Sequence, residues 1–191
     1  MQIKDYEEGY NMKAIQNLLN AGNVFMFTTW IQSQMADLVI LNKNKHLISS
    51  FISSPKRIPD DYHKIRVQYW EKQFGEIKSE FCREFSDILT KSDLDYIDKV
   101  YYIRNMLAHA HVSIARDYML YRPSGGDKKE EKLLSALEIN KPKESSSPIV
   151  IKIDLENAAI FERTSDYISH VDQKVLEKVS KHIGIPHGRI R

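Results

Sequence analysis

The sequence holds one cysteine, Cys82, among its 191 residues. That excludes an intrachain disulfide and a zinc site built from several cysteines. Glycine and proline are scarce too, at 7 and 6, well below the roughly 12% they contribute to average chains. Few breakers favour long helices. No sign of charge dominates: 28 Lys and Arg stand against 26 Asp and Glu, for a net +2 and a pI near 8.5. A dedicated nucleic-acid coat usually has a pI above about 9, so that class is disfavoured, whereas an enzyme that meets nucleic acid transiently is compatible. There is no GxGxxG, no Walker loop, no CxxC and no internal repeat, which removes the usual signatures of nucleotide, redox and solenoid proteins. Met1–Lys4 leads directly into Asp5, Glu7 and Glu8 and shows no signal-peptide pattern. With the single cysteine, this points to a cytoplasmic protein.

One run does lack charge, from Ala14 to Ala36. It contains Gln16, Asn17, Asn20, Asn23, Gln32 and Gln34, and every amide would need a partner in hydrocarbon. The run therefore predicts a core helix, not a membrane span.

Helical periodicity covers most of the remainder. A short helix is expected over Asn11–Leu19, ending near Gly22, followed by a stripe at Val24, Phe27, Ile31, Met35 and Leu38. Asn42–Asp61 reads as a connector with one helical turn near Leu47–Phe51. Val67, Trp70, Phe74, Ile77, Phe81, Phe85 and Ile88 then mark one long amphipathic helix over Asp61–Leu89, with those aromatic residues as core. Ser92 is placed to cap the next helix, with Asp93 and Asp95 in its first turn. The stripe of that helix is Val100, Ile103, Leu107, Ala110 and Ile114. Tyr118–Arg122 and Ile149–Leu155 are β-like runs. Between them lie Gly125-Gly126, a mixed-charge run Asp127–Lys132 read as solvated loop, a helical turn at Leu133–Leu137 and a Ser/Pro stretch Pro142–Pro148. A final helix over Glu156–Ile183 is closed by Gly184 and Pro186. The prediction is a mostly α protein, a single domain over 1–191. It is a four- to five-helix bundle with a β-hairpin-like excursion over 118–155 that holds a mobile loop.

The residues that carry chemistry sit in the segment Tyr101-Tyr102-Ile103-Arg104-Asn105-Met106-Leu107-Ala108-His109-Ala110-His111. Arg, Asn and His are poor choices for an otherwise apolar helix. Asn105 and His109, four apart, stand on one face. Arg104 and His111, seven apart, share the neighbouring face. With 9 Arg and 7 His in the chain, an Arg followed by His at this kind of spacing arises about once by chance; demanding Asn directly after Arg lowers that to roughly one in twenty. Residues two apart on a helix point about 200° apart, so His109 and His111 do not chelate one metal ion. Cys82 has core spacing and no neighbour that would activate a thiol.

The Arg-Asn-x-x-x-His segment resembles the signature of the HEPN superfamily, as does the helical pattern around it. The β excursion is not a general feature of that family. The resemblance implies a HEPN-like bundle and a metal-independent endoribonuclease without cofactor. It acts on single-stranded RNA or tRNA in a toxin, phage-defence or RNA-processing setting. It further implies a homodimer with both motif helices lining one cleft, and an antitoxin or regulatory partner. By that analogy Arg104 holds the scissile phosphate, His109 acts as general acid or base, and Asn105 positions His109 or a phosphate oxygen. The family's toxins paired with nucleotidyltransferase antitoxins typically place a tyrosine two residues after the histidine, where this chain has His111. That residue reads as a second acid–base group or as helix surface. Two other readings stay open. One is a non-catalytic HEPN-like module that binds RNA, a nucleotide or a partner protein in the same cleft or serves as a dimeric scaffold, the motif residues then reading as a polar patch satisfied inside the bundle with Arg104 paired to Asp98 or Asp95. The other is a regulatory, antitoxin-like protein.

Overall fold

The chain is mostly helical, with a small antiparallel sheet among the described residues. The computed structural model describes residues 12–53, 58–112, 118–123, 125–141, 149–154 and 158–190. The expected helix start at Asn11, Ile114, the Ser/Pro stretch and residues 155–157 lie outside them.

Helix α1 runs unbroken over Met12–Lys43, through the predicted end at Gly22. A glycine inside a helix costs about 0.5–1 kcal/mol relative to alanine. The next turns bury Ile31, Met35, Leu38, Val39 and Leu41, each able to contribute more than that cost. Leu18–Lys43 is long and apolar enough to cross a membrane, yet 56% of its most apolar window is buried inside the protein. A 3-10 turn at Lys45–Leu47 and helix α2 (Ile48–Ser53) supply the helical turn expected in the connector.

The single helix predicted over Asp61–Leu89 is two, α3 (Asp60–Trp70) and α4 (Phe74–Glu84). Gln73 is extended, at φ −69° and ψ 155°, and its N–H donates to Glu76 Oε2 at 2.7 Å. This local cap offers the backbone an alternative to continuing the helix. The restart changes the helical phase. Phe74, Ile77 and Phe81 are buried, whereas Trp70, on the same stripe in sequence, is 65% exposed, and Val67 is exposed as well. Tyr62 and Tyr69 are the buried residues of α3.

Helix α5 (Lys91–His109) is capped by Thr90, not Ser92. Asp93 Oδ2 accepts both the backbone N–H and the hydroxyl of Thr90 at 2.7 Å, and the Asp93 N–H donates to Thr90 Oγ1 at 3.2 Å. The helix stops at His109 instead of continuing past Ala110. Strands β1 (His111–Val112), β2 (Tyr118–Tyr121) and β3 (Ile151–Asp154) form an antiparallel sheet in the order β1-β2-β3, with His111 opposite Leu120 and Tyr118 opposite Asp154. Ile151 and Ile153 are buried while Lys152 and Asp154 face outward, the alternation of a half-buried strand. The mixed-charge run is not a loop. It opens helix α6 (Asp127–Leu137), whose opposite side buries Leu133, Leu134 and Leu137. Helix α7 (Ala158–His170) passes through a π-helical segment, Val171–Leu176, into α8 (Glu177–His182). Gly184, at φ +78°, ends it: its N–H donates to the Lys181 carbonyl at 3.2 Å and the Ile185 N–H to the Ser180 carbonyl at 2.9 Å, a Schellman closure.

By contacts the chain divides into two compact units. The first comprises Met1–Thr28 and Tyr102–Tyr167, the second Thr29–Tyr101 and Ile168–Arg191. The first holds the sheet, α6 and the Arg-Asn-x-x-x-His segment. Within the second, polar clusters tie the helices. Glu80 takes Lys43 at 2.5 Å, Lys72 at 2.7 Å and the Tyr69 hydroxyl at 2.9 Å. Burial pushes its carboxyl up, but these three partners outweigh it and bring the pKa down to about 2. Asp37 accepts from Tyr62 and Arg66, both at 2.5 Å. His187 meets the buried Asp172 at 2.9 Å and so holds the C-terminal turn against the π segment.

Candidate functional site

The second half of α5 belongs to the first unit and carries every residue of the motif. Ile103 and Met106 are buried, at 2% and 1% exposure, and Leu107 is half-buried. At about 100° per residue, Arg104 stands about 60° beyond Leu107, just outside the arc these residues occupy. Tyr102, Asn105 and His109 lie within about 60° of one another and about 100–160° from Arg104. Arg104 thus stands beside the apolar stripe.

Phe25 and Asn105 hold its guanidinium. Arg104 Cζ lies 5.5 Å from the centroid of the Phe25 ring on α1, and Nη1 donates to Asn105 Oδ1 at 3.2 Å. A guanidinium tolerates this position because it is planar, delocalised and weakly hydrated, so it stacks on an aromatic face while staying charged. Asn105 is therefore placed to steer Arg104, a different partner from the ones the resemblance suggested. The acids proposed to neutralise Arg104 are engaged elsewhere: Asp98 holds Lys78, and Asp95 holds Lys99 at 3.1 Å.

His109 is exposed and is the last helical residue. Two residues on, the chain is already in β1. The sheet therefore fixes the exit of the motif helix. His111 is exposed on that strand, opposite Leu120, so it neither continues the helix surface nor shares a helical face with Arg104.

Phe25 and Lys132, which no local spacing pointed to, also reach this stretch of α5. Phe25 supports Arg104 from α1. Lys132, exposed on α6, places Nζ 5.7 Å from the centroid of the Tyr102 ring. Each contact joins parts of the chain far apart in sequence. A cavity of about 320 Å³ lined by Val24, Phe27, Phe161 and Glu162, among others, also uses α1. Phe25 and Phe27 are two apart on a helix and point about 200° apart, so that cavity lies on a different side of α1 from the Arg104 perch. Cys82 on α4 is half-buried and burial pushes its thiol up, the opposite of an activated nucleophile.

Chemically, the site offers a fixed cation able to pair with a phosphate and an exposed imidazole able to move a proton. The carboxamide between them in sequence holds the cation. No protein-family model, curated protein or solved structure matches the chain.

Proposed function

We propose that this protein is a metal-independent endoribonuclease of HEPN type that cleaves single-stranded RNA or tRNA. The observation that carries this reading is the pairing of a braced cation with an open imidazole on one short stretch of helix. Arg104 is held by Phe25 and Asn105, and exposed His109 ends the same helix.

In this reading the RNA 2′-hydroxyl attacks the adjacent phosphorus. The O2′–P bond forms and the P–O5′ bond breaks. An imidazole accepts the proton from the 2′-hydroxyl, and a protonated imidazole delivers one to the departing O5′. Arg104 pairs with the non-bridging oxygens as negative charge builds on them. The products are a 2′,3′-cyclic phosphate and a 5′-hydroxyl. DNA, without a 2′-hydroxyl, is inert. One chain offers one His109, so a homodimer with both motif helices in one cleft supplies the acid and the base together. A cytoplasmic toxin or defence role, with an antitoxin or regulatory partner, goes with that chemistry.

The test is cleavage of total RNA in EDTA by wild type, Arg104→Ala and His109→Ala, with the fragment ends identified. The expected result is cleavage by wild type with cyclic-phosphate ends. Each variant should lose at least about 10²-fold, with circular dichroism unchanged. Equal cleavage by all three overturns the assignment. Absence of cleavage by a confirmed wild-type dimer that still retains RNA moves the function to a binding module.

A further inference from the structure

We propose that Lys132 and Lys128 of α6 form a rail for the phosphates of the RNA strand flanking the cleavage point, which makes the 118–155 excursion a substrate-binding element. The proposal rests on the ribonuclease reading and extends it to a part of the chain that the motif does not include.

Three observations converge on it. The first is placement. Lys132 Nζ lies 5.7 Å from the centroid of Tyr102, and Tyr102 shares its arc of α5 with Asn105 and His109. A cation therefore borders the face that carries His109. The second is spacing. Lys128 precedes Lys132 by four residues, and both are exposed. Their Cβ atoms are then about 5–6 Å apart on one face, a step that can follow successive phosphates of an extended strand. Like charges at this spacing cost a helix a few tenths of a kcal/mol, so the pair is no help to α6 itself.

The third observation is that α6 is anchored by its other side. Glu130 is 1% exposed. It holds Lys141 at 2.7 Å and accepts the Ile149 N–H at 3.2 Å. Leu133, Leu134 and Leu137 are buried beside it. With that side fixed, the lysine face is held outward. The acids of α6 stand to one side of Lys132. Glu138 bonds Arg163 at 2.9 Å, while Asp127 and Glu131 stand about 140° and 100° from Lys132, Glu131 lying beside Lys128. Lys129 flanks the pair on its other side. The sheet links this element to the motif covalently, since β1 begins two residues after His109.

Phosphate contacts made by lysine are read by salt. Each phosphate neutralised contributes about 0.7 to the slope of log affinity against log salt for a single strand. The experiment uses the full chain carrying His109→Ala, so that bound RNA stays intact, and a fluorescein-labelled single-stranded RNA oligonucleotide of mixed sequence. Binding is measured by anisotropy between 50 and 200 mM salt.

The expected result is that Lys132→Ala weakens binding several-fold and lowers the slope by about 0.7. Adding Lys128→Ala should lower it by about as much again, and Lys132→Arg should preserve it. Lys174→Ala, on the exposed side of the π segment, should leave it unchanged. In the active chain, Lys132→Ala should raise KM several-fold and change kcat less than twofold. RNA binding with an unaltered slope in Lys132→Ala overturns the rail and leaves the ribonuclease reading standing. A fall in kcat at unchanged KM overturns it too, because Lys132 would then belong to the chemistry. An acidic protein partner that needs Lys132 while RNA binding does not would reassign the face. Failure of wild type to cleave, together with failure of the His109→Ala chain to bind RNA, removes the ribonuclease reading and the rail with it.

Discussion

Arg104 and Asn105 are neighbours in sequence and hydrogen-bond partners in space, with Nη1 donating to Oδ1 at 3.2 Å. Consecutive helical side chains diverge by about 100°. The bond forms because the long Arg104 side chain lies against Phe25 and turns back toward its neighbour. Asn105 is then a positioning residue for Arg104.

Arg104→Lys should fail almost as badly as Arg104→Ala in the RNA cleavage assay. An ammonium is a hydrated point charge that neither stacks on Phe25 nor presents a planar fork to phosphate. Asn105→Ala should lower kcat about tenfold, less than loss of the arginine itself, and Asn105→Asp should recover part of it by keeping an acceptor for Nη1. Unchanged kcat in Asn105→Ala would remove its positioning role.

Glu130→Ala should destabilise the fold by about 2–3 kcal/mol, because it leaves the Ile149 N–H without its buried acceptor. Glu130→Gln keeps an acceptor oxygen and should cost less. Urea unfolding at pH 7 distinguishes the two. Equal midpoints for wild type and both variants would mean that Glu130 does not anchor α6.

Stability should fall in acid partly through Glu80. Its folded pKa, about 2, is below the ordinary 4.5. Its contribution is therefore present above pH 4.5 and is lost as the pH falls toward 2. Allowing for solvent screening at Lys43 and Lys72, that contribution is about 1–2 kcal/mol. Glu80→Gln should be less stable than wild type at pH 7 by this amount, and the gap should narrow as the pH drops toward 2. A gap that holds constant from pH 7 to pH 2 would contradict the cluster as the cause.

Trp70 and Phe81 are interchangeable members of one stripe in the sequence, but not in the structure. Phe81→Ala should cost about 3–5 kcal/mol, as deletion of a buried aromatic does. Trp70→Ala should cost under about 1 kcal/mol, since Trp70 is 65% exposed and its noted ring contact is the edge of His63 at 5.7 Å. Similar losses from both variants would show that α3 and α4 continue one another in solution.

Much of the helical content was legible because an apolar period of 3.6 residues specifies a helix and its buried side without reference to the rest of the chain. The stripe at Ile31, Met35 and Leu38 is of this kind, while the strands at Tyr118 and Ile151 and the Gly184 stop were legible from β-favouring runs and from a residue that takes positive φ. Element ends were harder to read. Periodicity carried the predicted helix through Gln73 and past His109. Yet a capping bond to Glu76 won at the first place and strand pairing to Leu120 at the second. Both compete with helix propagation at about one hydrogen bond each, which no stripe records.

For the site, the residue types and their order in Arg104, Asn105 and His109 were fixed by the sequence, and with them the chemistry they suit. Three things were settled by folding: that Arg104 rests on Phe25, that Asn105 serves Arg104, and that Lys132 borders Tyr102. A hydrophobic period states which side of a helix is buried. It does not state against what, because the partner comes from a distant segment whose position depends on the packing of every element between.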